Sequence, residues 1–234
     1  MILSGHQPNF LPYLGFFDKM MKCEFFILVD HIQFEKKGWQ NRNRVRVKHG
    51  SDGWAWLTVP VYTSSRYEQT ISEVEIDNSS EWGDKIWKTL FYSYKKADFF
   101  EDHEDFLKSV FTECRWEKLV DLNIELIKYL KECFDIEVPI IKSSDYSFSG
   151  KKTDLLIEMT KKLGCDTYLS GGSDDAREYV CEEEFEKHGL NHVFQNFIHP
   201  TYKQLYKPFV PNMSALDLLL NHGDESKEIL KQGK

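Results

Sequence analysis

The chain opens with an apolar stretch, Met1–Gly5, that runs into the polar corner His6-Gln7-Pro8-Asn9 and then into helical spacing. Apolar side chains recur at Leu11, Leu14, Phe17, Met20 and Met21, which predicts a helix over Phe10–Lys22 with Pro12 in its first turn. Phe25–Val29 follows as an unbroken apolar run that stops at Asp30, the pattern of a strand buried on both faces. Strand, corner, helix, strand is a βαβ unit, and its crossover makes the two strands parallel neighbours in a sheet. The alternation returns late in the chain. Val138–Ile141 reads as strand, Asp154–Leu163 as helix, Thr167–Leu169 as strand, Asp175–His188 as helix and His192–Phe197 as a final strand. Alternation at both ends predicts one α/β domain over residues 1–234, built on a parallel sheet with helices on both faces.

The middle has a different texture. Arg42–Lys48 alternates strictly, and Trp54–Val61 is rich in Trp, Thr and Val, with the Gly50–Gly53 turn between them. That is a β-hairpin, with Val74–Ile76 as a candidate third strand. Glu81 to Phe134 reads as helical, its apolar spacing clearest at Leu119, Leu122, Leu126 and Leu130. Residues 38–135 are therefore expected as a hairpin-plus-helical insertion. Ser214–Asn221 reads as a last helix, with Ser214 as N-cap and Asp217 three residues on, close to a capping box.

Hydrophobic residues at 41% and aromatics at 15% are ample for a core. A formal net charge of −8 argues against nucleic acid as a partner. No apolar run is long enough to span a bilayer, and Met1-Ile2-Leu3-Ser4 lacks the basic start of a secretory signal. Cys23, Cys114, Cys133, Cys165 and Cys181 are scattered, without a C-x-x-C pair, and read as reduced thiols of a cytoplasmic protein.

In open parallel sheets, ligands bind beyond the carboxyl ends of the strands. Two such ends are unusual: Gly5-His6-Gln7-Pro8-Asn9, and Ser170-Gly171-Gly172-Ser173-Asp174-Asp175. Both lead toward helix starts, where His6 would donate to a phosphate or oxyanion and Gly5 would admit close backbone approach. Gly5 and Pro8 already account for the turn, so His6 has no structural task in this reading. Strand period puts Arg42, Arg44 and Arg46 on one face, a row suited to a pyrophosphate or carboxylate. For Arg46 and Lys48 a solvated, aggregation-resistant edge is the simpler reading. Trp39-Gln40-Asn41 ahead of the row suits a sugar or base, since aromatic faces stack on such rings. His199-Pro200-Thr201-Tyr202-Lys203-Gln204 is a polar-aromatic run that core packing does not explain. A metal site is disfavoured, because Gly189 interrupts the helix that His188 and His192 would need.

Gly5-His6-Gln7-Pro8-Asn9, Tyr13-Leu14-Gly15, Asp18-Lys19, Trp39–Arg44 and Trp56–Pro60 resemble the WbqC-like protein family. The likeness resumes at Tyr168–Gly171, Ala176-Arg177 and Tyr179, then at His199-Pro200, Tyr202 and Gln204. It ends at Phe209, Pro211, Met213-Ser214 and Asp217-Leu218. The chain departs from the pattern at Gly172–Asp175, where the loop is longer. The resemblance implies a role in bacterial surface-polysaccharide (O-antigen or capsule) biosynthesis, with transfer of an aminoacyl group such as glycyl to an amino sugar. The Gly-His-Gln-Pro opening is also similar to that of the bacillithiol cysteine-adding enzymes, which implies a Rossmann-like, nucleotidyltransferase-like core. On this reading the substrate is a nucleotide-linked amino sugar, and ATP or an activated amino-acid donor is the co-substrate. His6 would stabilise charge, and Gln7, Asn9, Trp39 and Asn41, beside Gln40, would position the sugar or base. Arg42 and Arg44 would hold a diphosphate, while Arg177 and Tyr179 would close the corner at Ser170-Gly171. Asp30 or Asp175 would take the proton from the amine. A nucleotidyltransferase, or a non-catalytic nucleotide-sugar-binding protein, stays open as an alternative, as does homo-oligomerisation.

Overall fold

The computed structural model describes residues 1–233, except for the side chain of Asp175. The first half contains β1 (Ile2–His6), α1 (Leu14–Met21), β2 (Phe25–Leu28), β3 (Arg42–Arg46), β4 (Trp54–Thr58), α2 (Trp82–Tyr94), α3 (Phe100–Lys108) and α4 (Leu119–Cys133). The second half contains β5 (Ile140–Lys142), α5 (Thr153–Lys162), β6 (Thr167–Ser170), α6 (Asp174–Tyr179), α7 (Glu182–Lys187), β7 (Asn191–Phe194), α8 (Ala215–His222) and α9 (Ser226–Lys231).

Five strands form one sheet in the order β5-β2-β1-β6-β7, and every neighbouring pair is parallel. From β1 the chain steps outward through β2 to β5, then returns to the other side of β1 for β6 and β7. The strand order thus reverses between β1 and β6, which is the Rossmann-like arrangement and opens a crevice at that point. Phe26 and Leu28 face α1 and pack with its fully buried Phe16, Phe17 and Met20. Leu3, Ile27, Val29 and Tyr168 face the other way, onto Leu155 and Met159 of α5 and Phe185 of α7. Each such buried side chain stabilises the fold by about 1.5–3 kcal/mol.

The hairpin β3–β4 forms a separate antiparallel pair between β2 and β5 in the chain. It docks on the corner that follows β1. The Phe10 N–H donates to the Trp39 carbonyl at 3.0 Å, and Asn43 Nδ2 donates to the carbonyls of Phe10 and Leu11 at 3.1 and 2.7 Å. Leu11 is held at φ +43°, a left-handed conformation that a leucine rarely adopts. That is why the first helix begins at Leu14 and not at Phe10. Pro12 lies outside it, its carbonyl accepting from the Ala215 N–H at 2.8 Å. Val74–Ile76 supplies only the isolated Val61–Ile76 and Glu75–Lys118 bridges and no third strand. The helix expected over Asp175–His188 divides into α6 and α7, and the last strand stops at Phe194.

A second polar knot ties the hairpin to the carboxyl-terminal part. Asp217 Oδ1 accepts from Tyr94 Oη at 2.9 Å, and Oδ2 accepts from Tyr202 Oη and Gln204 Nε2 at 2.8 Å each. Tyr94 Oη in turn accepts from the Arg46 N–H, while Arg46 Nη2 donates to the Tyr206 and Pro208 carbonyls. Arg46 is only 1% exposed, so it is an interior clamp and not a solvated edge residue. Asp217 is engaged by side chains, not by a capping box, although Ser214 does cap α8 through the Leu216 N–H. Among the described residues no helix is long and apolar enough to cross a membrane.

Candidate functional site

β1 and β6 pair up to Ser4 and Leu169, so Gly5-His6 and Ser170-Gly171 emerge side by side at the crevice. A cavity of about 630 Å³ opens there, lined by Gly5, His6, Gln7, Ser170, Gly171 and Tyr179 among others. Its wall on the α5 side is apolar, with Val29, Leu155 and Met159. Gly5 is required by this geometry: a Cβ would come within 2.8 Å of Ile27 Cγ2 and 3.0 Å of Tyr168 Oη. At Gly172 a Cβ would collide with the Gln195 carbonyl, so the loop after β6 passes the end of β7 only as glycine.

A smaller cavity of about 330 Å³ lies between the corner after β1 and the hairpin. It is lined by His6, Asn9, Tyr13, Trp39, Asn43, Arg44 and Asn212. The Arg44 guanidinium sits 5.4 Å from the Trp39 ring and 5.2 Å from the Trp54 ring, and Nη2 donates to the Asn212 carbonyl at 3.2 Å. Two indoles and a carbonyl therefore fix one cation at the cavity wall. Asn9 is 5% exposed and its Oδ1 has no hydrogen-bond partner among the described residues. A buried acceptor left open at a cavity wall is a place for a ligand donor.

His6 lines both cavities, and its surroundings there set its protonation. Its Nδ1 lies 3.0 Å from the Gln7 carbonyl, which can only accept, so Nδ1 carries the proton in the neutral ring. Burial, reinforced by the nearby Lys19 ammonium, pushes its pKa down to about 3. His6 is therefore neutral, with Nε2 as an acceptor, a state that suits a hydrogen-bond donor better than an anion. Its ring also packs edge-on to Phe16 at 5.1 Å, so it has a structural task after all. Lys19, 4% exposed, donates to the Gly5 carbonyl at 2.7 Å, and burial lowers its pKa to about 8.

Gly5, His6, Gln7, Asn9, Trp39, Arg44, Ser170, Gly171 and Tyr179 are thus brought to the two cavities. Others are placed elsewhere. Asp30 Oδ1 accepts from Ser143 Oγ and the Ser144 N–H, and Oδ2 accepts from Ser144 Oγ, all within 2.9 Å. Both its oxygens join β2 to the segment after β5, so it is not set to take a proton from a ligand. Gln40 is 1% exposed and donates to Gln7 Oε1, while Asn41 Nδ2 donates to the Val59 carbonyl at 2.9 Å. Arg42 donates to the Lys37 carbonyl and stacks 4.3 Å from the Trp56 ring. Arg177 stacks 4.5 Å from the Phe194 ring and lines neither cavity. His199, Tyr202 and Gln204 belong to the neighbourhood of Asp217: the first stacks on Tyr202, and the other two bond that carboxylate. The side chain of Asp175 lies outside the described residues.

Sequence reasoning missed Tyr13, Asn43 and Asn212 as wall residues of the smaller cavity, and Lys19 beneath His6. It also missed His192, whose Nε2 lies 2.8 Å from Ser170 Oγ. No signal in the chain pairs residues 22 apart on neighbouring strands; only the sheet register does so.

The chain is 33% identical to the uncharacterized protein Rv1507c of Mycobacterium tuberculosis over 226 residues, covering 96% of this chain and 95% of that protein. No solved structure matches it. The model of the WbqC-like protein family matches residues 7–229, from the polar corner after β1 to the last helix, and the chain belongs to that family.

Proposed function

We propose that this protein transfers an acyl group of aminoacyl type to the amino group of a nucleotide-linked amino sugar, in the making of a bacterial surface polysaccharide. The observation that carries this reading is that two cavities of different character share His6 at the crevice between β1 and β6. The smaller one has what a sugar diphosphate needs: the Trp39 ring for stacking, the fixed Arg44 cation for phosphate, and the open Asn9 Oδ1 for a hydroxyl or amine. The larger one has room for an activated acyl donor beside Ser170 and Gly171. His6 Nε2 would accept a hydrogen bond from the amine and orient it between the two. The family membership supports a polysaccharide setting.

A nucleotidyltransferase-like activity is the second reading, favoured by the strand-order reversal, since open α/β sheets bind nucleotides there. The test is thermal stabilisation by a panel of nucleotide-linked sugars, with and without a free amino group, because a ligand of the native state raises Tm by mass action. Selective stabilisation by amino sugars, with product mass increased by one aminoacyl unit when donor is added, is the expected result. Nucleotide turnover without sugar would select the second reading. Binding without product from any donor would leave a sugar-nucleotide-binding protein.

A further inference from the structure

From the wall of the larger cavity three side chains run in series out to Glu182 at the start of α7, whose side chain is 59% exposed; only the first of them, Ser170, lines the cavity. Ser170, 5% exposed, ends β6 and lines the cavity, with its Oγ 2.8 Å from His192 Nε2. The His192 side chain is 1% exposed, and Glu182 Oε2 lies 3.6 Å from its Nδ1. The sheet register makes this arrangement. Tyr168 pairs with His192 and Ser170 with Phe194, so the alternate positions Tyr168, Ser170 and His192 face the α5 side of the sheet. Tyr168 and Phe185 flank the imidazole, with ring centroids at 6.5 and 4.8 Å, and fix its plane.

We propose that Ser170 is a nucleophile, His192 its general base, and Glu182 a positioning residue that steadies the imidazolium formed between them. The proposal deepens the acyl-transfer reading above and rests on it for the identity of the acceptor. A buried serine needs only some acceptor, and Ser4 in the adjacent strand finds one in the Leu169 carbonyl at 2.7 Å. Ser170 is instead coupled to a base, at a cavity, after a strand and before a glycine pair. His192 Nδ1 has no hydrogen-bond partner among the described residues. Its 3.6 Å gap to Glu182 exceeds a hydrogen bond but lies within ion-pair range once the ring is charged. Burial holds the pKa of His192 below the ordinary value, which keeps it neutral and able to accept.

The donor is an acyl ester or thioester. Ser170 Oγ attacks its carbonyl carbon and passes its proton to His192 Nε2. The Gly171 N–H, next in the chain, would meet the oxyanion. Collapse breaks the bond to the alcohol or thiol, which leaves with the proton from His192, and an ester on Ser170 remains. The amine of the acceptor then attacks that ester, gives a proton to His192, and forms the amide as the C–Oγ bond breaks. His192 returns its proton to Ser170 Oγ, and the enzyme is restored.

The full-length protein exposed to an alkyl fluorophosphonate, and separately to p-nitrophenyl acetate, tests this. Intact mass should show one equivalent of label, peptide mapping should assign it to Ser170, and p-nitrophenol should appear as a one-equivalent burst. Ser170→Ala should take up none. His192→Gln should slow labelling at least about a hundredfold, the usual share of a general base. Glu182→Gln should slow it less, lowering the limiting rate while the half-saturating probe concentration stays unchanged. Wild-type protein needs no variant to fold, and an unlabelled Ser170, or labelling unaffected by His192→Gln in protein of native circular dichroism, overturns the proposal. Nucleotide-sugar stabilisation measured on the same samples separates the two ideas. Binding with no labelled serine refutes the nucleophile alone; a labelled serine without sugar binding refutes only the acceptor.

Discussion

The cluster around Asp217 and the cluster at the end of β1 and β6 are both buried, polar and rich in aromatic rings, yet they are wired differently. The Asp217 carboxylate receives three side-chain hydrogen bonds, and its donors Tyr94 and Gln204 are themselves bonded onward to Arg46 and Val210. The nitrogens nearby that lack a partner among the described residues, Arg46 Nε and His199 Nε2, line neither of the two cavities. At the crevice, Asn9 Oδ1 and His192 Nδ1 are left without partners among the described residues, and His6 offers Nε2 to a cavity. Burying a polar atom without a partner costs about 1–3 kcal/mol, so one that also borders a cavity, as Asn9 Oδ1 does, is the kind a ligand would complete. Polarity in the interior is thus no guide to chemistry by itself. Open valence at a cavity is.

The largest expected effect lies at the closed cluster. Asp217→Ala removes an acceptor from three buried donors and should destabilise the fold by about 3–5 kcal/mol. Urea unfolding measures this, and the refolded fraction should bind nucleotide sugar with unchanged affinity. Stable protein with lost binding would erase the distinction between the two clusters.

The second effect separates two neighbouring arginines. Arg44 lines the smaller cavity whereas Arg42 is spent on the Lys37 carbonyl and Trp56. Arg44→Ala should weaken nucleotide-sugar binding by about 1.5–3 kcal/mol in calorimetry, with a smaller loss for unphosphorylated sugar. Arg42→Ala should weaken it by less than about 0.5 kcal/mol. Equal losses would mean that the hairpin face binds as a row, as its alternation alone suggests.

Third comes a pH effect with a definite sign. The folded chain holds His6 at a pKa of about 3, while an unfolded histidine titrates near 6.5. Between these values the unfolded chain binds a proton that the folded one refuses. The contribution is fully present above pH 6.5 and is lost as pH falls toward 3, by at most about 1.4 kcal/mol per pH unit. Denaturant midpoints should therefore fall more steeply in wild type than in His6→Gln below pH 6.5. Parallel curves would place a charged His6 in the fold and restore the anion-binding role.

The smallest effect is expected for Arg177→Ala. Its exposed side chain lies on Phe194, so both stability and ligand affinity should stay within about 0.5 kcal/mol of wild type. A tenfold loss of affinity would show that α6 closes over the larger cavity.

The parallel strands were legible because a strand buried on both faces must be apolar throughout, as Phe25–Leu28 is. The two corners were legible because the carboxyl ends of such strands are where an open sheet meets its ligand, and glycine with polar residues there marks the spot. The start of α1 was not, since the conformation of Leu11 is imposed by Asn43 from the hairpin, a contact no local pattern announces. Asp30 and the His199–Gln204 run looked available in the sequence for one reason. Their partners, Ser143 and Ser144 in one case and Asp217 in the other, arrive from distant segments and use up the groups that looked available. The Ser170–His192 pair was hidden by the opposite circumstance, a register that brings together residues with no common motif.

The place of β6 against β1 also bears on how the chain acquires its fold. Ser4 bonds the Leu169 carbonyl across 165 positions, so the central strand of the sheet keeps one edge unpaired until most of the polypeptide has left the ribosome. Such a closure is slow, because the entropy of a long loop is surrendered before the pairing returns anything. In the interval the β1 edge is a template for intermolecular pairing, and premature termination anywhere before Thr167 would leave it permanently so. Nascent chains stalled in that window are the species that quality control should meet most often.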